Sequence, residues 1–268
     1  MPRAALTPLP APARFRPFCP SPAAPQRGRA RILRPDPLDT LQSILLVAPV
    51  LLFSVIAHEV AHGYAALSQG DDTARSLGRL SWNPIRHIDP FMTVIMPIML
   101  LVASGGKLAL GGAKPVPVDP RKFRNYRIGD LIVSLAGVTA NLIIAFLCIP
   151  LIWAVGAIAR AVPALEPSAV ILQAMFMLGV QLNWLLIAFN LIPIPPLDGS
   201  HVVQQLLPRR LAHYYVQVGR FGLLILIALL VFGEGLLSAW LRPALAIGAT
   251  MIGWVRGSLL PGLPALLT

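Results

Sequence analysis

The chain has 268 residues, 56% of them hydrophobic and only 12% charged, against about 45–50% and about 25% in typical soluble domains. Half the usual supply of charge cannot coat a water-soluble globule of this size, so an ordinary soluble enzyme is excluded. The formal net charge of +11 suggests a nucleic-acid binder until the positions of the charges are considered.

Seven of those charges are arginines in residues 1–34 (Arg3, Arg14, Arg16, Arg27, Arg29, Arg31, Arg34), together with eight prolines and no acid. Such a segment buries too little apolar surface to order itself. It lacks the apolar core of a secretory signal and any aromatic-spaced basic motif. The expectation is a disordered tail over 1–37, or a start site set too early, and no nucleic-acid partner. Two cysteines, Cys19 and Cys148, are too few for a disulfide framework or a thiolate metal site.

From Leu38 onward apolar runs alternate with short polar ones. Leu41–Leu67 is long enough to cross a bilayer, which takes roughly 20 helical residues. Phe91–Ala103 is shorter and contains Pro97, which suits a re-entrant or interfacial segment. Leu131–Ala159 and Val170–Ile192 are strong spans, the second ending in Pro193-Ile194-Pro195-Pro196. Phe221–Phe232, continued through Leu241, is a fifth candidate and Ala244–Val255 a weaker sixth. The expected fold over 38–268 is an all-α polytopic membrane domain of about five to six transmembrane helices plus one re-entrant hairpin.

Ionisable groups within an apolar span are costly and mark function. One span carries a cluster of them, His58-Glu59-Val60-Ala61-His62. Histidines at i and i+4 share a helix face, so both imidazoles can reach one Zn²⁺. Glu59 stands beside them as a general base on a zinc-activated water. As mere packing, these groups would sit unpaired in hydrocarbon at several kcal/mol each. Small neighbours (Ala57, Ala61, Gly63, Ala65, Ala66) let other helices come close. A third ligand must come from elsewhere, and Asp198, His87, His201 and Glu234 are the candidates. His87 lies in a polar loop and Glu234 near a span end, both with ordinary structural readings. Asp198 follows a proline-broken stretch, and irregular backbone at membrane depth belongs where it is buried or lines a wet cavity.

His58-Glu59-x-x-His62 together with Asn190-x-x-Pro193-x-x-Pro196-Leu197-Asp198-Gly199 resembles the site-2 protease family of intramembrane zinc metalloproteases, in its short bacterial branch without PDZ or CBS domains. The resemblance runs from about Leu41 to Phe221. It takes in Gly78-Arg79-Leu80, Asn83-Pro84-x-x-His87-Ile88-Asp89-Pro90, Ala113-Lys114-Pro115-Val116-Pro117-Val118 and Ala136-Gly137-x-x-x-Asn141. The sequence departs from the pattern at Val138, where Pro is usual, and at Gly112, where an aromatic is common. The resemblance implies one zinc per chain with Asp198 as third ligand. It makes Asn141 the polar residue that helps hold the substrate or the developing oxyanion, an Asn that otherwise reads as an interhelical hydrogen bond. The implied partners are the lipid bilayer and a membrane-protein substrate whose transmembrane helix must unwind. Lys114–Val118 is either an extended edge that pairs with that substrate or a plain loop.

His58, His62 and Asp198 must meet at one depth, and both lie toward the C-terminal ends of their spans, so those spans run parallel. Phe91–Ala103 then does not cross. The loops with Lys107, Lys114, Arg121, Lys122, Arg124 and Arg127, and with Arg209, Arg210 and Arg220, share a side. The positive-inside rule makes that side cytoplasmic, in a bacterial inner or plasma membrane. It also puts the N-terminus outside with its arginines, so either Phe91–Ala103 crosses after all or the tail is absent from the mature protein. The alternative function is a metal-ion or proton transporter using the same His/Glu/Asp cluster, which predicts a polar path continuing through several spans. The sequence does not name a substrate or an oligomeric state.

Overall fold

The computed structural model describes residues 37–90 and 112–263, with Ile95, Ile98, Met99 and Val102 between them, and side chains from Ser43 onward. The basic tail through residue 36 and the rest of the Phe91–Ala103 segment fall outside the described residues. What is described is helical, with no strand.

Helix α1 spans Pro37–Gln69 and a single turn, α2, Thr73–Ser76. Helix α3 (Tyr126–Ala161) starts on an Asn125 cap whose side chain accepts from the Ile128 N–H. Helix α4 covers Glu166–Asn190, α5 Asp198–Leu206, α6 Arg209–Gly219, α7 Gly222–Phe232 and α8 Glu234–Trp254. Among the described residues four helical stretches are long and apolar enough to cross a membrane: Ser43–Gln69, Tyr126–Ala161, Pro163–Asn190 and Glu234–Trp254. The pair α6 and α7, bent by 70°, makes a fifth if counted as one span.

The last part of the chain is divided differently from the expectation. The apolar run does not continue from Phe221 through Leu241. It breaks at Gly233, and Glu234 opens a helix that passes through Pro243 and ends at Trp254. Hydropathy alone does not see this break, because both sides of it are apolar. A proline inside a membrane helix is tolerated when neighbours re-satisfy the freed carbonyl, so Pro243 does not end the span.

Helix α3 packs against both α1 and α4, which also touch each other. His58 and His62 face Asn141 and Val133, so α1 and α3 are antiparallel. Ser54 meets Asn183 and Val50 meets Gly179, so α1 and α4 run parallel, as the depth condition requires. The chain therefore leaves α1 and enters α3 at the same end of the bundle. The core between α3, α4 and α8 is built on Cys148, Ile152, Met177, Val180, Met251 and Ile252. A second cluster, Ile192 and Leu197 with Leu226 and Leu230, clamps the proline break against α7. Outward faces carry Leu45, Phe53, Phe146, Trp153, Ile171, Leu224 and Phe232, all exposed. An exposed apolar girdle of this extent is the surface of a protein solvated by lipid.

Candidate metal centre

Residues 191–197 contain three prolines that cannot donate backbone hydrogen bonds, and they turn the chain so that α5 begins with Asp198 against α1. There Asp198 Oδ2 lies 3.2 Å from His58 Nε2 and 3.3 Å from His62 Nε2, and the two imidazole nitrogens are 3.0 Å apart. The three side chains are only 8%, 12% and 18% exposed. They form the one grouping of three potential metal ligands among the described residues.

Tetrahedral coordination with bonds of about 2.0–2.1 Å sets ligand atoms about 3.3 Å apart, close to the observed triangle. Asp198 Oδ2 is buried and accepts no hydrogen bond, so a cation is the partner it lacks. His62 donates from Nδ1 to the Val133 carbonyl at 2.7 Å, which leaves the Nε2 lone pair for a metal. Asn141, fully buried on α3, sits 3.2 Å from His58 Nδ1. The two ends of its amide are alike in shape, and with the oxygen turned to Nδ1 the His58 ring is held in the same tautomer. Orientation of ligating histidines through the second nitrogen is the usual arrangement around a protein-bound metal. The set fits zinc.

Glu59 is half-buried beside the ligands, and its Oε2 accepts from the Val116 N–H at 2.8 Å. The Lys114–Val118 segment is irregular, with no strand. The Lys114 N–H donates to His87 O, and Arg79 donates to the Lys114 and Pro115 carbonyls. Its backbone is thus anchored to neighbouring loops and to Glu59. Gly63 allows the approach, since a Cβ there would lie 2.4 Å from Leu80 Cδ2 and 3.0 Å from Val116 Cγ1.

The other ligand candidates lie apart from this triangle. His87 is buried and donates from Nε2 to the Ser81 carbonyl at 2.7 Å. Glu234 opens α8. His201 pairs with Asp130 at 3.3 Å. Three contacts were not foreseen: the Val133 carbonyl on His62, the Val116 N–H on Glu59 (Val116 was read only as part of an edge or loop) and the pairing of His201 with Asp130. Gly137 did have a sequence signal, in the Ala136-Gly137-x-x-x-Asn141 motif. A Cβ on it would lie 2.5 Å from both His58 Cε1 and His62 Nε2.

An H-E-x-x-H helix closed by a distant carboxylate inside a lipid-facing bundle defines a membrane metalloprotease. The chain belongs to Peptidase family M50, whose pattern matches residues 46–233. It is 37% identical over 190 residues to the "Putative zinc metalloprotease YwhC" of Bacillus subtilis (strain 168), covering 71% of this chain and 82% of that one. It is 30% identical over 196 residues to the "Putative zinc metalloprotease Rip2" of Mycolicibacterium smegmatis, covering 73% and 70%. The Rip2 protein of Mycobacterium tuberculosis (strain ATCC 25618 / H37Rv), also 30% identical, covers 72% and 70%. No solved structure matches the chain.

Proposed function

We propose that this protein hydrolyses peptide bonds in or near the transmembrane segments of membrane-tethered substrates, with one zinc per chain held by His58, His62 and Asp198. The observation that carries the reading is the buried 3.0–3.3 Å triangle of ligand atoms with Glu59 alongside. Bound there, zinc supplies a Lewis acid that polarises the scissile carbonyl and acidifies a water.

The chain's own groups do the rest. Glu59 takes the proton of the attacking water as the C–O bond forms, and passes it to the leaving amine as the C–N bond then breaks. The Val116 N–H fixes the carboxylate through Oε2 and leaves Oε1 free for the proton. Asn141 holds the His58 ring, and the end of its amide left over is the group that would hold the substrate or the developing oxyanion. The substrate helix must unwind first, since its carbonyls are bonded within the helix.

The site opens toward the cytoplasmic side of the cell membrane in this reading. Support comes from the end of the bundle where α1 ends and α3 begins, near Arg121, Lys122, Arg124, Arg127, Arg209 and Arg210. Such an excess of cations marks the inner face. The transporter alternative predicts a polar path continuing through several spans. Toward the opposite end α1, α3 and α4 instead bury Ser54, Asn141, Gln173 and Asn183, all neutral.

Glu59→Gln is the test. It is expected to keep its zinc and to lose about 10²–10⁴-fold in cleavage of a transmembrane reporter, the range for a general base. Full cleavage by the variant with zinc retained would overturn the mechanism.

A further inference from the structure

One pair of ionisable groups left unused by this mechanism lies a helical turn outward from the ligands. Asp130 lies one turn before Val133, whose carbonyl orients His62, and His201 lies one turn after Asp198 on α5. Asp130 is only 5% exposed. Its Oδ1 faces His201 Nδ1 at 3.3 Å, its Oδ2 accepts from Gln205 Nε2 at 2.7 Å, and Arg127 donates to the Gln205 carbonyl. This polar seam between α3 and α5 runs out to a cavity of about 600 Å³ lined by Tyr126, Arg127, Gln205 and Arg209 among others.

A buried carboxylate with both oxygens engaged is a fixed abutment. It sets the ring plane of the imidazole facing it, as the Asp of a catalytic triad does. The His201 side chain is 48% exposed, unlike its partner. With Nδ1 turned to Asp130, Nε2 has no protein partner among the described residues. One turn of helix is about 5.4 Å, within reach of an imidazole and a peptide carbonyl held at the ligands. Asn141 lies on the deep side of the ligand triangle, and His201 stands on the outer side.

We propose that His201, oriented by Asp130, is a further catalytic residue, donating a hydrogen bond from Nε2–H to the scissile carbonyl oxygen as that oxygen takes up negative charge. The inference rests on the protease reading above. No proton is transferred in this step. With Asp130 accepting from Nδ1–H, only the imidazolium carries a second N–H to offer, so deprotonation removes the donor. The Asp130 carboxylate holds His201 above its ordinary value, against burial, and Asp198 on its own helix adds to this while His62 on α1 opposes it. Activity is therefore expected to fall as pH rises through the His201 pKa.

The experiment uses the full-length protein in detergent and a fluorogenic peptide bearing one transmembrane helix with a Gly-Pro break. Wild type, Glu59→Gln, His201→Ala, His201→Gln and Asp130→Asn are compared for bound zinc, kcat, KM and pH profile. His201→Ala should keep its zinc and KM and lose about 10²–10³-fold in kcat, as when one oxyanion donor is removed. His201→Gln, which keeps an N–H donor, should recover part of that and lose the alkaline limb. Asp130→Asn should move the alkaline limb to lower pH. It should also lower the His201 titration point seen by NMR in the metal-free protein. Unchanged kcat and pH profile in His201→Ala would overturn the proposal, and so would zinc lost in parallel with activity, which would mean a structural staple. Cleavage that does not depend on Glu59 would count against the protease reading itself rather than against His201.

Discussion

At Gly137 the smallest possible side chain already collides with the site. A methyl there would occupy the space 2.5 Å from His58 Cε1 and His62 Nε2, so the glycine is a demand of the ligands and not of the helix, where Gly costs about 1 kcal/mol relative to Ala. Gly137→Ala is expected to leave α3 intact while weakening zinc retention about tenfold or more, as when an outer partner of a ligand is lost. Metal content of purified protein during chelator competition would show it. Asp198→Ala should abolish stoichiometric zinc under the same assay, and His87→Ala should not, because His87 is bonded to Ser81 and lies away from the ligands. Zinc loss in both would undo the assignment of the third ligand. His58, Glu59 and His62 were legible because an i, i+4 pair is a local pattern and the helix supplies the geometry. Asp198 was legible through the prolines ahead of it and the motif they belong to. The Asp130–His201 pairing was not, since it depends on the angle at which residues 191–197 release α5.

Between elements, the short loops at the site end are held by one buried carboxylate. Asp71, fully buried, accepts from the Thr73 N–H at 3.0 Å, from the Thr73 hydroxyl and from the Asp119 N–H at 2.7 Å, with Lys122 at 3.8 Å. This ties the turn after α1 to the segment leading into α3, close to the Val116 contact with Glu59. Burial alone would raise the Asp71 pKa. The hydrogen bonds from Thr73 and Asp119 and the Lys122 charge outweigh it and hold the carboxyl below its ordinary value. A depressed carboxylate contributes stability above the unfolded value of about 3.9 and loses it as pH falls through the lower folded value. Asp71→Asn should cost about 1–3 kcal/mol at neutral pH, the usual price of a broken buried hydrogen-bond set. The gap from wild type should close below about pH 4. Thermal melts of both proteins across pH would check this, and a gap that widened in acid would refute it. Long apolar helices were legible at this scale, but the break at Gly233 and the continuity through Pro243 were not. Lipid tolerates a proline that a hydropathy window penalises, and the window averages across a single glycine.

Across the whole molecule the bundle is fastened at the end opposite the site. Gln173 on α4, fully buried, donates to the Ile152 and Ser258 carbonyls and accepts from the Leu260 N–H. It thereby binds α3, α4 and the turn after α8. Gly156 gives that turn room, its missing Cβ being 2.1 Å from the Ser258 carbonyl oxygen. Gln173→Leu strands one N–H and two carbonyls and is expected to cost about 1–3 kcal/mol, with zinc content unchanged. A lowered melting temperature at constant metal loading would separate this clamp from the catalytic end. The polytopic class was legible from composition alone, because a chain so poor in charge has no other solvent. The fastening was not, because a single neutral Gln in an apolar run gives no sign of which carbonyls it will meet.

The ligand triangle joins side chains from α1 to one roughly 140 residues later in the chain, and closing so long a loop costs little more entropy than closing one half as long. It does, however, fix an order of events during synthesis. The helix bearing His58 and His62 is made and inserted long before Asp198 exists, and a two-histidine site lacks the closing carboxylate. With the proposed ligand set, full metal loading waits until α4 has returned to the same side of the bilayer and the proline break has turned α5 inward. A protease assembled this way carries its own delay: the growing chain and its neighbours in the membrane are spared until the fold is nearly complete.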